Sequence, residues 1–120
     1  MFDRGGVYLA NLNPNKGSEP GKTRPIIILQ ANALNEVNHP TVIILPLTSQ
    51  LIDNTAPLRF RLLANDNLKK DSDVLCDQLS AISLSRLQPT KLLQLTSKQL
   101  VAIEQHVSHI LDFNTATPTH

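Results

Sequence analysis

The 120-residue sequence contains no tryptophan and only one tyrosine and three phenylalanines, so a folded core has to be built from Leu, Ile and Val. A single cysteine, Cys76, excludes an internal disulfide and fits a reducing compartment. Net charge is almost absent, at +1. No global basic field therefore marks the chain as a nucleic-acid binder, and any such binding must come from a local patch. No apolar run approaches the ~20 residues that a membrane-crossing helix needs. The opening "MFDRGGVY" also lacks the charged-then-apolar layout of a secretion signal. A cytoplasmic protein with no membrane partner is the expectation.

With 41% hydrophobic and 18% charged residues, the composition is that of a globular chain rather than a disordered one. The length suits one core, expected over residues 1–113, with a frayed tail at 114–120. Neither an internal repeat nor a linker divides it. Runs dense in β-branched residues and bounded by turn residues predict strands at Val7–Leu12, Arg24–Gln30 and Thr41–Leu47. In "LRFRL" Leu58, Phe60 and Leu62 alternate with Arg59 and Arg61, the pattern of a half-exposed strand. "DVLCDQL" and "KLLQL" add two more strands, with a helical turn expected between them, before Pro89. Thr96 to Gln99 fits a capping box, flanked by Leu95 and Leu100 at the staple positions. Leu100, Ile103, Val107, Ile110 and Leu111 then recur at helical spacing. The prediction is a mainly β domain closed by one C-terminal amphipathic helix.

Several familiar site types are missing. His39, His106, His109 and His120 are scattered, and no cysteine pair completes a metal site; His106 and His109 read as solvated helix positions. No serine stands in a nucleophile-elbow setting, and Cys76 lies inside an apolar run, as a small buried hydrophobe would. "GSEPGKTR" lacks the four-residue spacer of a phosphate-binding P-loop. Neither a metal nor a cofactor is expected.

Three polar clusters remain, each at the edge of a predicted strand: Glu19, Lys22, Thr23 and Arg24; then Thr48, Ser49 and Gln50 just past Pro46; then Asp77 and Gln78. Arginine offers a rigid, permanently charged fork suited to a phosphodiester, and the hydroxyls add neutral donors. Gly17 and Gly21 allow the loop backbone to approach a ligand closely. An ordinary turn uses the same residues, however, and an Arg24–Glu19 pair would account for both charges.

The combination "RGGVYLANLNPNKGSEPGKTRPIIILQ", "TVIILPLTSQ", "LCDQLSAIS" and "SRL" resembles the toxin component of MazF/PemK-type toxin–antitoxin pairs, from Arg4 to about Leu87. The resemblance implies a small SH3-like β-barrel of the MazF/PemK/CcdB-like kind, forming a homodimer. It implies a sequence-selective endoribonuclease, an mRNA interferase, that cuts single-stranded RNA without a metal. Attack by the ribose 2′-hydroxyl would leave a cyclic phosphate and a 5′-hydroxyl end. A cognate antitoxin would inhibit it by laying an extended acidic or amphipathic segment into the RNA groove. By the same resemblance the catalytic arginine falls on Arg24 and the catalytic threonine on Thr48. Glu19, Ser49 and Gln78 fall at positions near the substrate. Gly17, Ser18, Lys22 and Gln50 complete the expected RNA contacts, with Arg59, Arg61, Lys69 and Lys70 available to track the backbone.

Such a cleavage needs a proton acceptor, a proton donor and hydrogen-bond donors for the phosphorane. A side-chain pKa above ~12 makes arginine a poor base. Glu19 and Asp77 are therefore the two candidate bases, and the sequence leaves the choice between them open. The chain also departs from the family pattern. An Arg-x-Asp pair of some members reads Leu75-Cys76-Asp77 here, a frequent tryptophan is Tyr8, and a frequent arginine is Ser80. Two other readings stand beside the ribonuclease. One is a toxin of the same fold that binds and poisons DNA gyrase, although such proteins rely on an aromatic-bearing C-terminus and "DFNTATPTH" has no tryptophan there. The other is a degenerate member that only binds RNA or antitoxin.

Overall fold

The computed structural model describes residues 2–12 and 23–113. Its elements are β1 (Gly6–Asn11), β2 (Thr23–Ile28), a one-turn helix α1 (Asn32–Asn35), β3 (Thr41–Thr48), β4 (Arg59–Leu62), β5 (Ser72–Leu75), β6 (Ser80–Ser83), a 3-10 turn (Leu84–Arg86), β7 (Leu87–Gln94) and α2 (Ser97–Leu111). The strands are ordered β4-β5-β3-β2-β1-β7, with β6 also on β3, and every pairing is antiparallel. Ile44 pairs with both Ile28 and Ser80, so β2 and β6 take opposite edges of β3. Near its end Leu47 and Thr48 pair with Val74 and Asp73 of β5. Among the described residues β4 and β7 do not pair, so the ladder is an open path and not the closed ring of a barrel.

Alternation along the strands sorts the apolar residues into two clusters. Val7, Ile27, Leu45, Leu47, Val74 and Leu62 point to one face, where they meet Leu95, Ile103 and Val107. Tyr8, Ala10, Ile26, Ile28, Val42, Ile44 and Leu87 point to the other. Adjacent residues of β1, β2 and β3 thus serve different clusters. The turn into β1 depends on Gly5, whose φ is +82° and where a Cβ would lie 2.7 Å from Leu100. Its N–H donates to the Ile28 carbonyl at 2.7 Å, and its carbonyl accepts from Leu95 N–H at 2.9 Å.

The "RFRL" part of the predicted alternation is present: Leu62 is buried, Phe60 packs on the core, and Arg59 and Arg61 face the other way. Leu58, one residue ahead of the strand, is exposed. The capping box on α2 is complete, with Gln99 N–H donating to Thr96 Oγ1 at 3.1 Å and Thr96 N–H to Gln99 Oε1 at 2.9 Å. Asp112, in the left-handed region with φ 58°, ends the helix. Leu111, expected on the apolar face, is exposed, whereas Ile110 just before it packs on the core. His106 is half-buried edge-on against Phe60, with ring centroids 6.0 Å apart, not solvated like His109. "SAIS" forms β6, and Pro89 lies within β7, whose edge tolerates a missing donor. The short α1 was not anticipated. It is tied in by a satisfied buried pair, with Gln30 Nε2 donating to Asn35 Oδ1 at 3.2 Å and Asn35 Nδ2 to the Gln30 carbonyl at 3.0 Å. No helix among the described residues is long and apolar enough to cross a membrane.

Candidate active site

Arg24 and Thr48 come from opposite ends of neighbouring antiparallel strands. The β2–β3 register pairs Ile26 with Pro46; Arg24 precedes Ile26 by two residues and Thr48 follows Pro46 by two. Thr48 in turn pairs with Asp73, and Asp73 with Arg61. One row of polar residues therefore crosses three strands: Thr48, Asp73, Arg61. Sequence spacing conceals it, because the row joins residues of β3, β5 and β4 through pairing alone.

Arg24 and Thr48 line a cavity of about 590 Å³. Thr23, Arg24, Thr48, Ser49, Gln50, Asn67, Lys69, Lys70 and Ser72 supply its polar lining, and Leu9, Pro25, Leu47, Leu68 and Leu92 its apolar floor. Arg24 is half-buried, and among the described residues its guanidinium forms no ion pair. Thr48 Oγ1 accepts the N–H of Gln50 at 3.1 Å, which leaves its hydroxyl able to donate as well.

The Lys69–Lys70 wall is shaped by local chemistry. Asn65 Oδ1 accepts from the N–H groups of Asn67, at 3.0 Å, and Leu68, at 2.6 Å, a turn that asparagine favours. Leu68, only 3% exposed, plugs into the core. Asp71 Oδ1 closes the loop by accepting from Ala64 N–H at 2.7 Å. Both lysines consequently stand on the rim, Lys69 with its ammonium on the Asp66 carbonyl at 2.7 Å.

The other expected site residues fall elsewhere. Gly17, Ser18, Glu19 and Lys22 lie outside the described residues, as does the anticipated 114–120 tail. Asp77 and Gln78 are exposed in the turn between β5 and β6 and do not line the cavity. Arg59 and Arg61, expected to track RNA, are engaged instead with a carboxylate that the sequence reading overlooked. Asp73, 1% exposed, accepts from Arg61 Nε at 2.5 Å, Arg59 Nη1 at 3.1 Å and Ile52 N–H at 3.0 Å. Burial pushes the Asp73 carboxyl up, but these donors together outweigh it and hold it below the ordinary carboxylate range. Asp53 takes the outer side of Arg61, with Nη2 to Oδ1 at 2.8 Å.

Tyr8, a possible stacking surface, is unavailable: it is 1% exposed, its ring against Phe2 and its hydroxyl accepting from Asp3 N–H. Cys76 is buried as expected, and burial, with the Asp77 charge beside it, pushes its thiol up to about 12. It is therefore a poor nucleophile. Among the described residues no three His, Cys, Asp or Glu side chains gather as a metal site would require.

The family model of the PemK-like, MazF-like toxins of type II toxin–antitoxin systems matches residues 3–111, and the chain belongs to that family. It is 33% identical over 116 residues to the Endoribonuclease MazF of Staphylococcus saprophyticus, covering 96% of this chain and 95% of that protein. To the protein of the same name from Staphylococcus epidermidis it is 32% identical, covering 95% and 94%. The fold is shared with the MazF of a MazE–MazF crystal structure from Deinococcus radiodurans, at a TM-score of 0.76, 24% identity and coverage of 93% and 96%. It is also shared with the Mycobacterium tuberculosis toxin MazF-mt6, at a TM-score of 0.75, 20% identity and coverage of 91% and 98%.

Proposed function

We propose that this protein is the toxin of a toxin–antitoxin pair, an endoribonuclease that cuts single-stranded mRNA in the cytoplasm at selected sequences. The observation that carries the reading is that Arg24 of β2 and Thr48 of β3 line one cavity with two further cations on its rim. In this mechanism the scissile phosphate lies between the two residues. Its neighbour's 2′-hydroxyl attacks, the P–O5′ bond breaks, and the products are a 2′,3′-cyclic phosphate and a 5′-hydroxyl. Arg24 neutralises the phosphorane through a fixed, charged fork. Thr48, its oxygen already occupied by the Gln50 N–H, donates to a non-bridging oxygen, and Ser49 adds a second hydroxyl. Lys69 and Lys70 hold adjacent phosphates while the apolar floor accepts a splayed base. Of the two candidate bases, Asp77 does not line the cavity, so the proposed base is Glu19; in this reading the reaction needs no metal.

The active species in this reading is a homodimer, and a cognate antitoxin inhibits it by filling the cavity. Support for an antitoxin comes from the family, and from structural neighbours solved as MazE–MazF complexes and as an endoribonuclease with its cognate antitoxin. The test is incubation of the antitoxin-free protein with a long single-stranded RNA in excess chelator, followed by sequencing of the ends. Discrete cuts with 5′-hydroxyl termini are expected, and they should fall by roughly 100- to 1,000-fold in Arg24→Ala, the usual cost of one preorganised charge-stabilising donor. A folded protein that cuts none of a varied RNA set would reject the reading in favour of a binding-only toxin.

A further inference from the structure

The structure assigns a positioning role to Asp73: through Arg59 and the 50–52 backbone, this buried carboxylate sets the orientation of the Thr48 hydroxyl. The inference rests on the reading above, in which Thr48 donates to the reacting phosphate. The links are continuous. Arg59 Nη1 lies 3.1 Å from Asp73 Oδ2 and donates to the Gln50 carbonyl at 2.8 Å. The same Oδ2 accepts the Ile52 N–H at 3.0 Å. The Gln50 peptide is therefore held at its carbonyl by Arg59, and the following turn by Asp73. The Gln50 N–H in turn occupies Thr48 Oγ1 at 3.1 Å.

Besides this anchor, the segment after β3 is tied by Arg61 to Asp53 and by Thr55 Oγ1 donating to the Ile52 carbonyl at 3.3 Å, both beyond Gln50. Ser49 to Asn54 are all exposed and belong to no helix or strand, and exposed loops move unless tied down. The carboxylate also has its geometry imposed from two sides. Thr48 pairs directly with Asp73 across β3–β5, and Arg61 pairs with Asp73 across β5–β4. Arg61 satisfies Oδ1, which leaves Oδ2 committed to Arg59 and Ile52. A threonine hydroxyl that must meet a phosphorane oxygen in a hydrogen-bonding geometry loses its effect when displaced by about 1 Å, at a cost of up to about 100-fold in rate.

The experiment is a double-mutant cycle of Asp73→Asn with Thr48→Ala, measured by single-turnover RNA cleavage with rates normalised to folded protein, beside amide exchange at Gln50 and Ile52. Asp73→Asn is expected to lower the cleavage rate about 10- to 100-fold with KM nearly unchanged. In the Thr48→Ala background it should have no further effect. Exchange at both amides should rise, independently of any activity. Arg59→Ala, which leaves the Asp73–Arg61 pair and the Ile52–Asp73 bond intact, should reproduce the rate loss and the faster exchange at Gln50 if Asp73→Asn does not fold. Equal losses in both backgrounds, or a rise in KM alone, would overturn the role. So would unchanged exchange at Gln50 and Ile52. A wild-type protein that cuts no RNA but shows the expected exchange changes would instead defeat the ribonuclease reading and leave the structural link standing.

Discussion

Arg59 and Arg61 alternate with Leu58, Phe60 and Leu62, and alternation alone makes them a cationic face on a half-exposed strand. Their charge is answered inside the protein by Asp73, an aspartate two strands away from Thr48 in sequence and directly opposite it in the sheet. That partnership was not legible in the sequence. A buried aspartate and a solvated one look alike until the pairing of β3, β4 and β5 is known. Arg24 and Thr48 were legible because family motifs carry them. Lys69 and Lys70 were only suggested, because their position on the rim depends on Leu68 plugging into the core. The distinction has a measurable consequence. Lys69→Ala and Lys70→Ala should each raise KM for RNA several-fold and reduce the slope of log affinity against log salt by about 0.7, the value for one phosphate contact on a single strand. Arg61→Ala should destabilise the fold while leaving that slope alone. A salt slope that falls equally in all three variants would return Arg61 to the RNA surface.

At the scale of the element, α2 shows how far local sequence rules reach. Thr96, Gln99 and the flanking leucines predicted its start, because a capping box depends only on neighbours. Removing the cap with Thr96→Ala should cost about 1 kcal/mol in denaturant unfolding. The helix's inner face was harder to read. His106 lies between the solvated and the buried positions, and only the packing of α2 on β4 brings it to Phe60. Burial, with the nearby His109 charge, pushes the His106 pKa down. The folded state therefore resists protonation more than the unfolded chain, in which histidine titrates near ~6.5. The contribution is fully present above that value and is lost as pH falls through the lower folded pKa. Thermal midpoints taken from pH 8 to pH 5 should decline toward acid, and His106→Gln should flatten the decline in this window. A parallel decline in the variant would assign the effect to other groups.

Across the whole molecule, the strand sequence alternates between two apolar clusters that share a single set of backbones. β3 makes the point most directly: Ile44 faces the cluster around Tyr8, whereas Leu45 faces the cluster that packs under α2. The run "TVIILPL" announced a buried strand, but a near-continuous apolar run cannot say which residue belongs to which side. The site depends on this arrangement, since Arg24 and Thr48 are the polar ends of the same strands that hold both clusters together. If the clusters are mechanically one body, neither can be lost alone. With no tryptophan and Tyr8 as the only tyrosine, intrinsic fluorescence reports one cluster, and helical circular dichroism, dominated by the 15-residue α2, reports the other. Ile44→Ala and Leu45→Ala should each cost about 2–5 kcal/mol. Both should shift the fluorescence and dichroism midpoints together, because a two-state domain gives coincident transitions by every probe. Separated midpoints in either variant would mean that the sheet comes apart between its faces, and the Arg24–Thr48 pair could then be lost while α2 stays folded.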